Sequence, residues 1–277
     1  MKKLFLSALC LAVLIATDAQ QLKTPSPSPT QTVKQDFGLG SIEISYSRPG
    51  MKGRKIFGDL VPFDKVWRTG ANSATTLTFT DDVNIGGTKI VAGKYGLLTI
   101  PSATDWTMII TKQLDVTSPA AYKQESDVVR VKAKPFTLST PVERFEIEFL
   151  ETTDSSGKIQ LMWDKTGVEL PITTDVDSKV MKQLDNMMNK DNRPYFNAAV
   201  YYADNGKDLA QANMWFDKAI EQNPKAFWVY YQKAKALAKQ GKKSEAMAAS
   251  AKSKELAKGE KNDDYVLLND KLQATLK

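Results

Sequence analysis

At Thr174 the hydrophobic period of this chain changes from two to about 3.6. From 41 to 172 apolar and polar residues alternate, as in strands that bury one face. SIEISYS sets Ile42, Ile44 and Tyr46 against polar neighbours, and TTLTFT does the same with Leu77 and Phe79. Asp81-Asp82 and Gly86-Gly87 mark tight turns on either side of VNI. KYGLLTI and DWTMIIT follow, joined by Pro101-Ser102-Ala103, and then VVRVKAK, VERFEIEF, KIQLMW and GVELPI, the last ended by Pro171. Roughly eight to ten short strands separated by turn residues predict a β-sandwich-like antiparallel domain over 36–172. Without crossover helices a parallel sheet is disfavoured, while a barrel stays open as an alternative.

Beyond 174, Val176, Val180, Leu184 and Met187/Met188 make the inward stripe of a linking helix. Pro194 suits the first turn of the next helix, and Asp208 or Ser244 could cap later ones. Ala212, Phe216, Ala219 and Pro224 stand at the offsets of a repeat's second helix and exit turn, and one 34-residue period after the first three come the small residues Ala246, Ser250 and Ser253. Small residues are required where the two helices of a hairpin cross closely. This pattern resembles the tetratricopeptide repeat, with two repeats over about 193–258. Asp263 to Leu276 reads as a C-terminal cap helix with Val266, Leu272 and Leu276 turned inward. The resemblance implies an all-α tetratricopeptide-like helical domain over 175–277 that docks a protein or peptide partner.

The chain has no histidine and a single cysteine, Cys10. The commonest general base, the usual zinc ligand and every histidine-activated nucleophile are therefore missing. No catalytic residue, metal ligand or cofactor is assigned. The formal charge of +6 is spread unevenly: residues 36–172 carry 16 basic and 17 acidic side chains, and 175–277 carry 18 and 14. Lysines scattered among acids read as a solvated surface, without the dense basic stripe of a nucleic-acid binder.

Lys2-Lys3, the apolar run Leu4–Ala16 and the small residue Ala19 read as a signal peptide, 1–19, cleaved to leave Gln20. The run is short for a membrane span. The expected location is periplasmic or secreted, with no membrane span once the signal is removed. Residues 20–35, QQLKTPSPSPTQTVKQ, have little to bury and are expected to form a disordered tether.

One stretch of the β module has no period. Residues 48–73, RPGMKGRKIFGDLVPFDKVWRTGANS, hold three of the six arginines and four glycines. An irregular segment this long in an ordered domain commonly serves binding. The runs YSRPGMKGRKIFGDLVPFDKVWRTGANSATT, VNIGGTKIVAGKYGLLTIP, DWTMIIT and DVVRVKAKP resemble a family of exported bacterial proteins known only as a domain of unknown function. That family often carries tetratricopeptide-like helices behind the domain, and the resemblance implies no activity.

The candidate ligand-binding residues are Arg48, Lys52, Arg54, Trp67, Arg68 and Asn72 in this loop, with Tyr122, Asp127 and Arg130 as a second group. Arginine forks suit carboxylate or phosphate, glycines let backbone N–H groups approach an anion, and Trp67 could stack on a sugar. The competing reading is a brace, in which the arginines pair with Asp59, Asp64 or Asp127. Ser155-Ser156-Gly157-Lys158 has the Ser-x-x-Lys spacing of penicillin-binding enzymes but falls in a hairpin turn rather than a helix. Trp106, Trp163 and Phe145 are read as core. Together these features predict an exported non-enzymatic binding or scaffold protein with a candidate small anionic or carbohydrate ligand. The alternative is a periplasmic enzyme acting on an envelope carbohydrate or anionic metabolite through carboxylate and arginine residues.

Overall fold

The computed structural model describes residues 24–190 and 193–277; the expected signal peptide lies outside the described residues. The alternating segments form ten strands: β1 (Thr30–Phe37), β2 (Gly40–Ser47), β3 (Thr75–Phe79), β4 (Val83–Ile85), β5 (Thr88–Ile90), β6 (Gly93–Ile100), β7 (Trp106–Thr111), β8 (Asp127–Ala133), β9 (Phe136–Leu150) and β10 (Ser156–Thr173). They make a six-stranded sheet, β1-β2-β3-β6-β7-β8, and a four-stranded sheet, β5-β4-β10-β9. Every strand pairing is antiparallel and neither sheet closes into a barrel.

Alternation explains the core. Ile44, Leu77 and Tyr95 are register partners across β2, β3 and β6 and point inward together. They meet Phe145, Ile147, Leu161 and Trp163 of the second sheet in one buried cluster. On β6 and β7 both faces are buried. Leu97, Met108 and Ile110 join the central core, while Leu98 and Ile109 pack outward against Ala74 and Val116. The cover is the 112–126 connection, which contains two short 3-10 turns, Pro119–Ala121 and Gln124–Ser126.

Three expectations need correction. Strand β1 runs through Thr30–Phe37, inside the stretch read as tether. It is an edge strand whose polar side chains face outward, and eight register pairs with β2 hold it. Its composition looked solvated because only Phe37 is buried. KIQLMW and GVELPI form one strand rather than two. The register shifts on either side of Asp164, which adopts φ 52°, so a bulge bends the strand without ending it. Nor does Pro171 end β10, since pairing with β9 has already stopped at Gly167 and no ladder bond there needs its N–H.

The chain divides by contact at Asp175/Val176. The second unit contains α1 (Val176–Met188), α2 (Tyr195–Asp204), α3 (Leu209–Gln222), α4 (Phe227–Lys239), α5 (Lys243–Gly259) and α6 (Asp263–Leu276). Ala212, Phe216, Ala219, Ala246, Ser250 and Ser253 are all buried, as close hairpin crossing demands. Asp208 caps α3 by accepting from the Ala210 and Gln211 N–H groups at 2.8 and 3.3 Å. Ser244 caps nothing, because α5 already starts at Lys243 and Ser244 falls inside its first turn. Of the α1 stripe Leu184 is buried, whereas Met187 is exposed. Lys207 and Tyr201 hold the Asp177 carboxylate and tie α1 to the first hairpin.

Candidate functional site

Arg48 leaves the end of β2 and is fully engaged. Its Nε donates to the Phe145 carbonyl at 3.0 Å and its Nη2 lies 3.1 Å from Glu146 Oε1. The next residues continue as a makeshift strand along β9: Phe145 N–H donates to Pro49 O at 3.0 Å and Met51 N–H to Glu143 O at 2.8 Å. Arg48 therefore joins the two sheets as a brace, with Glu146 rather than Asp59, Asp64 or Asp127 as its partner. Lys52 is exposed, at φ 49°, and only its backbone is held, by Glu143 Oε1 at 3.0 Å.

Trp67 returns the loop to the sheet. It exchanges backbone hydrogen bonds with Thr99 of β6 at 2.7 and 2.9 Å. Its indole packs near-parallel to Trp163, with centroids 5.9 Å apart, and edge-on to Phe57 and Phe145. With the residue only 9% exposed, this ring is a wall and not an open platform for a sugar. Trp106, Trp163 and Phe145 are buried core, as expected.

The backbone after Arg68 is strained and held from several sides. Thr69, fully buried and β-branched, adopts φ 58°, a conformation such residues avoid. Its hydroxyl donates to Thr99 Oγ1 at 3.2 Å, and its carbonyl accepts a short hydrogen bond from the Thr75 hydroxyl. Gly70 adopts φ 146°, and a Cβ there would sit 2.9 Å from the Ser47 carbonyl. The Gly70 carbonyl accepts from Trp67 Nε1 at 3.0 Å. Asn72, at φ 61°, donates to Ser47 Oγ at 3.2 Å and to Ser28 O at 3.3 Å, clamping the approach to β1. Strain of this kind, about 1–3 kcal/mol per residue, persists only where the surroundings impose it, and it gathers at functional sites.

Beside this turn lies a cavity of about 360 Å³. Leu60, Val61, Trp67, Trp163 and Pro119 give it apolar walls, and Arg54, Lys65 and Arg68 bring positive charge; no carboxylate lines it. Arg54 is oriented by its own turn, donating to Met51 O at 2.9 Å and Gly50 O at 2.6 Å. Arg68 donates through Nη1 to Thr117 O at 2.7 Å, which fastens the 112–126 connection to the loop. Its Nε is buried and makes no hydrogen bond among the described residues. Arg48, Lys52 and Asn72 do not line the cavity.

Tyr122, Asp127 and Arg130 do come together, though outside that cavity. The Tyr122 hydroxyl donates to Asp127 Oδ2 in a short hydrogen bond, and Arg130 Nε lies 3.2 Å from the same oxygen. Burial, followed by the bond to the Asp127 carboxylate, pushes the Tyr122 phenol up to about 12. The trio stitches the 112–126 connection to β8, while Arg68 anchors the same connection from the loop side. Among the described residues no group of three or more His, Cys, Asp or Glu side chains is placed to hold a metal ion. Lys158 lies inside β10, opposite Leu150, and is engaged by Glu151 and Glu169, the latter at 3.1 Å. Of the Ser-x-x-Lys run expected in a hairpin turn only Ser155 precedes the strand, and among the described residues no helical serine stands beside the lysine.

A family model described as protein of unknown function (DUF2911) matches residues 28–172, more than half of the chain. The chain belongs to this family. The DUF2911 match takes in β1, the whole irregular loop and both sheets, so the cavity is a feature of the DUF2911 domain. A tetratricopeptide repeat model matches 215–248, from within α3 to within α5. No curated protein and no solved structure matches the chain.

Lys65, Leu60, Val61 and the Ser118-Pro119 pair line the cavity but did not stand out in the sequence. Lys65 stands three residues before Arg68 and shares the composition that singles out the loop. Ser118-Pro119 lies about fifty residues downstream, with nothing local to connect it.

Proposed function

We propose that this DUF2911 protein is an exported, non-enzymatic binding protein. Its helical repeats dock a protein or peptide partner, and its β domain offers the Arg68 cavity to a small ligand. The observation that carries this reading is the helical unit, two hairpins in repeat register closed by α6, with a tetratricopeptide match across the junction. Stacked hairpins of this kind present an extended surface suited to a partner segment. Tyr231 of α4 and Tyr265 of α6 meet edge-on at 5.6 Å, and Lys235 Nζ lies 5.9 Å from the Tyr231 ring centre. Partly exposed rings beside an amine favour such a contact.

An enzymatic role needs a proton-transfer group facing the bound molecule. Among the lining side chains Lys65 is the one of a type that commonly moves protons in enzymes, and no carboxylate accompanies it. These features weigh toward binding.

Export rests on Lys2-Lys3, Leu4–Ala16 and Ala19. Mass spectrometry of protein from the envelope fraction should find Gln20, free or cyclised, as the first residue; an intact Met1 contradicts export. For docking, a photo-crosslinker at position 231 or 235 of the full chain should give a discrete adduct in native extract. Absence of any adduct at both positions contradicts partner docking on this face.

A further inference from the structure

We infer that the cavity beneath Arg68 binds a small amphipathic acid, a carboxylate carried on an aromatic or branched apolar body. This deepens the reading of the DUF2911 domain as a small-ligand module and rests on it.

Charge points to an anion. Arg54, Lys65 and Arg68 all reach the cavity, and none has an ion-pair partner among the described residues. Four other cations of the domain are matched, Arg48 by Glu146, Lys89 by Asp82, Arg130 by Asp127 and Lys158 by Glu169, while an unmatched one such as Lys52 is exposed and lines no part of the cavity. Three unmatched cations around one concavity favour an incoming anion.

The hydrogen bonding of Arg68 points the same way. Thr117 O occupies Nη1, while the opposite edge of the guanidinium, including the buried Nε, makes no hydrogen bond among the described residues. That edge is a two-donor fork of the width of a carboxylate. A buried donor without an acceptor is costly, and an anion supplies the acceptor. The strained, cross-linked turn at Thr69 and Gly70 holds the Arg68 backbone in place before any ligand arrives.

The walls decide the rest of the ligand. Leu60, Val61, Trp67, Trp163 and Pro119 offer apolar surface, and about 360 Å³ is at the small end of ligand cavities. A neutral sugar needs acceptors as well as donors around its hydroxyls, and the side chains here supply mostly donors. Inorganic phosphate would leave the apolar walls uncovered. An acid with a compact apolar body satisfies both ends.

The test uses the full chain, titrated calorimetrically at low ionic strength with 3-phenylpropionate, indole-3-acetate and isocaproate, each beside its primary amide. At least one acid should bind saturably and its amide more weakly by about tenfold or more, the ratio one charge-assisted hydrogen bond supplies. Arg68→Gln and Arg68→Lys should each weaken that acid by a similar factor, because lysine keeps the charge and loses the fork. Ala71→Trp, which fills the cavity from its half-exposed rim, should abolish binding. No saturable binding of any acid, equal binding of acid and amide, or unchanged affinity in both Arg68 variants overturns the inference. So does binding of a neutral sugar in place of the acids. If the acids fail while crosslinking at 231 or 235 still captures a partner, the ligand class is wrong and the docking reading stands. If crosslinking fails while an acid binds as described, the ligand class stands and partner docking falls.

Discussion

Gly70 and Tyr122 show how much of the site depends on single groups. Gly70 occupies a backbone region nearly closed to other residues, with the Ser47 carbonyl where a Cβ would go. Gly70→Ala is expected to cost about 2–3 kcal/mol, from strain and overpacking together, measured by urea denaturation. A cost near zero would mean that the turn is adjustable. Tyr122 makes a prediction about pH. Its folded-state value, about 12, lies above the ordinary phenol value of 10.0. A phenol raised on folding contributes stability that is complete below pH 10 and disappears as pH climbs through about 12. Tyr122→Phe should therefore flatten the loss of stability over that alkaline interval, and an unchanged alkaline slope would show that the phenol ionises freely in the folded protein.

Among the elements, β1 is where pattern reading and structure part most clearly, whereas α6 has the bounds expected of the cap helix and adds a polar network. Strand propensity is weak in TQTVKQDF, and only pairing with β2 makes it a strand. Trypsin should accordingly spare Lys34, which sits opposite Glu43 in the ladder, as long as the domain stays folded. Early cleavage at Lys34 would contradict an ordered β1. In α6 the fully buried Asn269 organises the last hairpin. It accepts from Ser250 Oγ at 2.8 Å and donates to Ser253 Oγ at 2.9 Å and Tyr265 O at 2.7 Å. Ser253 donates its own proton to Phe227 O at 2.8 Å. Replacing Asn269 by Leu removes partners from buried hydroxyls and should cost about 2–3 kcal/mol, read as a lowered melting temperature. The small residues at 250 and 253 were legible as a crossing requirement. That they are serines bound to Asn269 was not, because their partner sits in the next helix.

The fold class was readable because period two and period 3.6 occupy separate halves of the chain. Strand continuity through Asp164 and Pro171 was hidden by local turn residues that the neighbouring strands override. At the site, the 48–73 loop declared itself by composition, but its division of labour did not. Arg48 and Asn72 hold the domain together, Trp67 forms a wall, and Arg54 and Arg68 border the cavity with Lys65. Those roles depend on Glu146, Trp163 and Thr117, residues distant in sequence. Everything proposed for the β domain turns on Arg68 being present for a ligand and not for stability. Among the described residues its one hydrogen-bond partner is a neutral carbonyl, so its removal leaves no buried charge behind. The decisive comparison is the unfolding free energy of the full-length Arg68→Ala protein beside wild type. A loss of about 1.5–2 kcal/mol is expected, the worth of one hydrogen bond from a charged donor. A loss of about 3–5 kcal/mol, typical of breaking a buried ion pair, would make Arg68 a brace and contradict its assignment to a ligand.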